Sequence, residues 1–171
     1  MRILDHIRDV PDFPRPGIMF RDITPLLAAP DALRETIVRL AAPFRAEGIT
    51  KVAGIEARGF VFGAPVAIAL GAGFVPLRKP GKLPWKKERE AYALEYGTDA
   101  LEIHADGAVR PDRVLLVDDV LATGGTAKAA VALLRRLGGV VVAATFVLEL
   151  EALGGRARLT DVRVETLATV R

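Results

Sequence analysis

VLLVDDVLATGGTAKAA, residues 114–130, decides the fold class of this chain. A near-continuous apolar run ends in two adjacent acids, Asp118 and Asp119. Two threonines and two glycines follow, and then an alanine-rich stretch. Near-continuous apolarity in RVLLV predicts a strand buried on both faces, as in a parallel sheet covered by helices. The acids fall where such a strand reaches the carboxyl edge of its sheet and meets solvent. ATGGTA then reads as a turn into a helix. Small residues there let backbone N–H groups approach an anion closely, and the helix N-terminus adds positive potential.

Working outward, strands and helices alternate. The pattern predicts a strand at 113–120, a helix at 124–138 and strands at 140–150 and 162–170. Upstream, DALRETIVRLAAPFRAEG (31–48) reads as an amphipathic helix with Asp31 as its N-cap, ending at Gly48. KVAGIE (51–56) reads as a strand, GFVFGAPVAIALGA (59–72) as a buried helix and GFVPLRK (73–79) as another strand. AYALEY and ALEIH, around GTDA, read as a hairpin. Residues 1–30 are proline-rich and are expected to form a short helix followed by an extended loop. This alternation means an α/β fold with a central, mainly parallel sheet flanked by helices. Sites in such folds lie beyond the carboxyl ends of strands, which points to the loops after Glu56, Lys79 and Val120.

Bulk properties narrow the function. The 171 residues suffice for one domain with a core, and 51% hydrophobic with 26% charged residues is a globular composition. No apolar run approaches a membrane span, and MRILDHIRDVPDFPRPG lacks the apolar core of a signal peptide. A cytoplasmic protein with no membrane partner is therefore expected. The chain has no Cys, which excludes disulfides and thiolate metal sites. It also has no Asn, Gln or Ser. Few thermolabile amides with many Arg and Glu suggest a thermostable protein, and codon bias would produce part of the same signal. A net charge of +3 suits an anionic small molecule or weak nucleic-acid binding.

The glycine turn matches neither common phosphate loop. A P-loop needs Lys after its last glycine, where this chain has Thr126, and G-x-G-x-x-G is missing. Carboxylates repel phosphate, so Asp118 and Asp119 should meet hydroxyls of the same ligand. A sugar phosphate satisfies both halves. The alternative is an acidic strand end with an ordinary glycine turn.

VLLVDDVLATGGT resembles the phosphoribosyl-pyrophosphate (PRPP) signature of the type I phosphoribosyltransferases. The resemblance implies that Asp118 and Asp119 bind ribose hydroxyls and that Ala122, Thr123, Gly124, Gly125 and Thr126 hold the 5′-phosphate. FPRPGIMFRDITPLL (13–27), EARGFVFGAPVA (56–67), RKPGKLP (78–84) and YALEYG (92–97) resemble the adenine-specific branch of that family. They run in family order over most of the chain. They imply a single domain (1–171) with a hood segment at 1–30, where Met19, Phe20 and Arg21 meet the base, and a core at 31–171. They further imply Arg58 as a pyrophosphate contact, a mobile loop at about 79–91 carrying Lys82 next to Arg78, and Glu95 near the purine as a proton relay. The expected reaction is adenine plus PRPP giving AMP plus pyrophosphate, with Mg²⁺ held mainly by PRPP and water rather than by direct protein ligands, in a homodimer. The lack of Asn and Gln fits recognition of adenine by main-chain groups, since side-chain amides are the usual bidentate partners of adenine.

Other readings remain at this stage. RKPGKLPWKKER (78–89) has six basic residues and one acid. It also reads as a solvated loop or, with Trp85 to stack, as a nucleic-acid patch. A transferase for another base, such as xanthine, and a PRPP-sensing regulator are the alternative functions. Three prolines within 11–16 leave no room for a helix–turn–helix in the first 30 residues.

Overall fold

The computed structural model of the chain describes residues 2–93 and 97–171. Strands β1 (Arg8–Val10) and β2 (Phe20–Asp22) form an antiparallel ribbon, followed by helices α1 (Thr24–Ala28) and α2 (Pro30–Ala41). Then come β3 (Lys51–Ile55), α3 (Arg58–Leu70), β4 (Gly73–Leu77), and the antiparallel hairpin β5 (Lys87–Ala93) and β6 (Thr98–His104). The chain closes with β7 (Arg113–Leu121), α4 (Gly125–Arg136), β8 (Val140–Leu150) and β9 (Arg163–Val170).

Five strands form one parallel sheet in the order β4-β3-β7-β8-β9. From β3 the chain steps outward to β4, and from β7 it steps the other way to β8 and β9. The strand order therefore reverses between β3 and β7. Loops leaving the two carboxyl ends there diverge and open a crevice.

Residue period 2 along β7 builds both sides of the core. Leu115 and Val117 pack with Leu40, Phe44, Phe62 and Val66 under α2 and α3. Val114 and Leu116 pack with Leu133 and Leu134 of α4 and with Leu101 and Ile103 of the hairpin. All four β7 residues are fully buried. Each such side chain contributes about 1.5–3 kcal/mol of transfer free energy, which holds the strand rigid beneath the acids at its end.

Four local expectations are corrected. The first 30 residues do open with a short helical turn, a 3-10 turn at Ile3–His6, but the extended loop expected after it holds the β1–β2 ribbon and α1; strands of three residues are too short to show alternation. The Asp31 cap is not made: Ala29 occupies the N-cap, with Pro30 as the first helical residue. The helix expected over 31–48 ends at Ala41, and a 3-10 turn at Ala42–Phe44 carrying Pro43 follows. The basic segment is a loop only to residue 86, because Lys87–Ala93 is paired strand; the loop expected at about 79–91 is shorter by these residues.

Candidate active site

The crevice at the β3/β7 switch holds a cleft of about 480 Å³. One wall is the hood, with Ile18, Met19, Phe20 and Arg21. The floor is Ile55 to Arg58 at the end of β3 and Asp118 to Val120 at the end of β7. Lys79, Ala122, Thr126 and Leu150 complete the lining.

Asp119 is buried at 4% exposure, and Asp118 is half-buried beneath the first turn of α3. A Cβ on Gly59 would stand 2.8 Å from Asp118 Oδ1, so only glycine lets the helix start this close to the acid. Asp118 Oδ1 accepts the Asp119 N–H at 3.0 Å. The Arg58 Nε approaches Asp119 Oδ2 at 2.6 Å. The approach is off the hydrogen-bonding direction, and Oδ2 has no hydrogen-bond donor among the described residues. Burial, joined by the charge of Asp119, raises Asp118 well above the usual carboxylate range. Burial also raises Asp119, against the opposing pull of Arg58. The fold thus stores an acceptor-rich, under-solvated acid pair that a ligand hydroxyl can satisfy.

The glycine turn follows directly. Gly124 adopts φ +78 as the N-cap of α4. A recess of about 80 Å³ opens on Asp118, Ala122, Thr123, Gly124 and Thr126, and it shares Asp118, Val120, Ala122 and Thr126 with the main cleft. Gly125 faces the other way, toward Ala93 O and the Tyr92 ring. The turn is braced by a segment with no assigned role in the sequence reading. A Cβ on Gly124 would press into Gly155, reaching 3.0 Å from its Cα, so two backbones lie in direct contact. Arg156 anchors that second loop through Nε to Glu149 Oε1 at 3.0 Å and through Nη1 to Val164 O at 2.9 Å. The paired glycines of LGGR (153–156) were the available signal.

Arg78 and Lys82 meet at Glu56, a residue that the sequence reading left without a role. Arg78 Nε donates to Glu56 Oε2 at 3.2 Å, the Lys79 N–H donates to the same oxygen at 2.9 Å, and Lys82 pairs with Oε1. Burial opposes ionisation of Glu56, yet the hydrogen bonds from Lys82, Lys79 and Arg78 hold it down at about 2. Glu102, also buried, accepts the Gly81 N–H at 3.0 Å and stands 3.5 Å from Lys87 Nζ. Two buried carboxylates therefore pin the basic loop. Lys79 reaches Tyr92 Oη at 2.8 Å and pairs with Asp99.

In the hood, Arg21 pairs with Asp9 across the β1–β2 ribbon, and Arg58 lies 5.7 Å from the Phe20 ring centroid, joining hood to floor. Met19, Phe20, Arg21, Arg58, Asp118, Asp119, Ala122 and Thr126 thus share one cleft, and Thr123 and Gly124 line the adjoining recess. Arg78 and Lys82 reach the cleft through Glu56. Glu95, with its neighbour Tyr96, lies outside the described residues.

The geometry has known counterparts. Residues 26–167 match the family model of the phosphoribosyl transferase domain. The adenine phosphoribosyltransferase of Edwardsiella ictaluri is 61% identical over 165 residues, covering 96% of this chain and 90% of that protein. The one from Thermobifida fusca is 59% identical, covering 96% and 94%. The crystal structure of adenine phosphoribosyltransferase from Rhodothermus marinus superposes with a TM-score of 0.93 at 53% identity, covering 98% of this chain and 96% of that one. The Giardia lamblia enzyme complexed with 9-deazaadenine superposes at 0.93 with 38% identity, covering 100% and 99%.

Proposed function

The chain belongs to the phosphoribosyl transferase family, and from that premise we propose how its residues carry out the adenine phosphoribosyltransferase reaction. Adenine displaces pyrophosphate from PRPP, giving AMP and pyrophosphate. The observation that carries the assignment of roles is the acid pair at the end of β7. Asp119 Oδ2 is ion-paired with Arg58 but has no hydrogen-bond donor among the described residues, and the pair sits on the floor of a cleft walled by the hood, directly ahead of the Gly124 turn.

The 5′-phosphate sits in the recess lined by Ala122, Thr123, Gly124 and Thr126, where α4 presents backbone N–H groups and Thr123 and Thr126 can donate hydroxyls. Its ribose hydroxyls then fall on Asp118 and Asp119. Breaking the anomeric C–O bond leaves cationic character on the ribose and one added negative charge on pyrophosphate. The acids favour the first; Arg58, Arg78 and Lys82 favour the second. No covalent nucleophile is required, which suits a chain without Ser or Cys. Adenine enters against Met19, Phe20 and Arg21, and Glu95 takes the proton that the base sheds. The hood over residues 1–30 and the basic loop close the cleft, keeping water from competing with the base.

Magnesium fits this donor set. Asp118 and Asp119 offer hard carboxylate oxygens and would hold the ion through water, with PRPP supplying its other ligands. Bound there, the ion would neutralise pyrophosphate charge. A homodimer is supported by the outer face of α3, where Ile68 is 81% and Val61 41% exposed. No helix among the described residues is long and apolar enough to cross a membrane.

The test is incubation with PRPP, Mg²⁺ and each free base, with products identified by mass. AMP from adenine is expected. Comparable turnover of hypoxanthine, guanine or xanthine would refute the base assignment.

A further inference from the structure

Glu56 is the one cleft carboxylate to which the reaction above gives no task. It immediately follows β3 with its side chain 10% exposed, and it gathers three donors from the basic loop: Arg78, Lys82 and the Lys79 N–H. Arg78 adds a longer contact from Nη2 to Oε1 at 3.5 Å. A single negative charge thus holds two cations and a backbone donor, the kind of donor set that a phosphate oxyanion would take. The partners lie 22 to 26 residues away in sequence, so the cluster exists only because β3 and β4 are neighbours. A simple strand-to-strand tie would need one cation. The second, Lys82, comes from the middle of the loop, and its side chain is half exposed.

We propose that Glu56 is a positioning residue that stands in for pyrophosphate in the free enzyme. It holds Arg78 and Lys82 where the leaving group will sit and yields them when the substrate binds. The proposal rests on the reading of Arg78 and Lys82 as pyrophosphate contacts. Its physical logic has two sides. Ordering two long cationic side chains costs entropy, and Glu56 has that order in place before binding. Conversely, pyrophosphate must displace charge-assisted hydrogen bonds, and a buried carboxylate deprived of its cations draws them back. Net affinity for pyrophosphate is lowered and its release is hastened. The Lys79 N–H remains on Glu56 throughout as the hinge of the exchange.

Titration with inorganic pyrophosphate in Mg²⁺ buffer tests this. Glu56→Gln keeps an acceptor for the Lys79 N–H and removes the competing charge. Its Kd for pyrophosphate is expected to fall by about threefold or more, with slower dissociation, because the displaced bonds are weaker without the charge. A merely structural tie predicts an unchanged or higher Kd, and that result in a folded variant overturns the proposal. The unmodified protein supplies a second reading if the variant does not fold. Its Arg78 Nε–H resonance, protected by Glu56 without ligand, is expected to shift as pyrophosphate saturates the site. Binding with no shift overturns the exchange. Wild-type protein that fails to bind pyrophosphate overturns the Arg78 and Lys82 assignment and this proposal together. Binding without tightening in Glu56→Gln overturns this proposal alone.

Discussion

Gly124→Ala separates two costs that meet in the turn before α4. Gly124 has φ +78, which an alanine adopts at about 1–2 kcal/mol. Its new Cβ would also crowd Gly155, reaching 3.0 Å from that Cα. Both groups in contact are backbone, so relief requires one loop to move. Overpacking of this kind costs about 1–3 kcal/mol. The sum, about 3 kcal/mol, lowers the melting midpoint by about 6–12 °C in a chain of this size. Two companion variants isolate the terms. Gly71→Ala has φ +65 and nothing within 4 Å, so it bears the conformational cost alone, about 1–2 kcal/mol. Gly59→Ala has no positive φ but meets Asp118 Oδ1 at 2.8 Å and Val117 O at 3.0 Å, so it bears the contact cost alone. Scanning calorimetry gives the three midpoints, and steady-state kinetics gives KM for PRPP and for adenine. Gly124→Ala should raise KM for PRPP more than KM for adenine, since we assign the phosphate to this turn. Gly71→Ala should leave both unchanged. A Gly124→Ala protein no less stable than Gly71→Ala, with normal KM for PRPP, would show that the turn is not braced by Gly155 and that the reasoning is wrong.

Asp118→Asn combined with Asp119→Asn should lower kcat about 10²- to 10³-fold, as loss of directed electrostatic stabilisation does. The same change should raise stability at neutral pH by about 0.5–2 kcal/mol, because site residues of this kind are held at the expense of the fold. The sign follows from linkage. Both acids have folded-state values raised above their unfolded ones, so their contribution to stability is greatest below the unfolded value near 3.8 and is lost as pH rises through the folded value. Melting midpoints against pH should show that loss in the wild type and not in the double variant. Glu56 has the opposite sign: its contribution is full above 4.5 and disappears as pH falls toward 2. Lys82→Ala should cut kcat about tenfold or more and move stability by only ~0.5 kcal/mol, since Lys82 is half exposed. Unchanged AMP synthesis together with lost, salt-sensitive oligonucleotide binding would instead assign the loop to nucleic acid. Finally, the absence of Asn, Gln and Cys leads us to expect a melting midpoint above ~65 °C; a mesophilic value would attribute the composition to codon usage.

The amino-acid sequence by itself determined the central strand of the sheet and the acid pair and turn at its carboxyl end. VLLV, acid pair and Gly-Thr turn are contiguous, so strand burial, the carboxyl edge and the helix N-terminus all follow from local pattern. The reading at 114–130 needed no distant partner, and β7, the turn and α4 stand where it put them. β5 was legible only in part. KEREAYA presents charged residues along its exposed face, and only Tyr92 is buried, so its first half carries no apolar alternation and reads as loop. The ribbon in the hood is too short for any period. What the tertiary structure alone decided is which charges meet. Glu56 collects Arg78 and Lys82, Glu102 collects Gly81 and Lys87, and Gly155 lies on Gly124. Each pair is separated by 15 or more residues that obey no repeat. Local periodicity encodes which face of an element is buried. It carries no information about which loop ends a parallel sheet will bring within 3 Å of one another. That depends on strand order, and strand order is fixed only when the whole core packs.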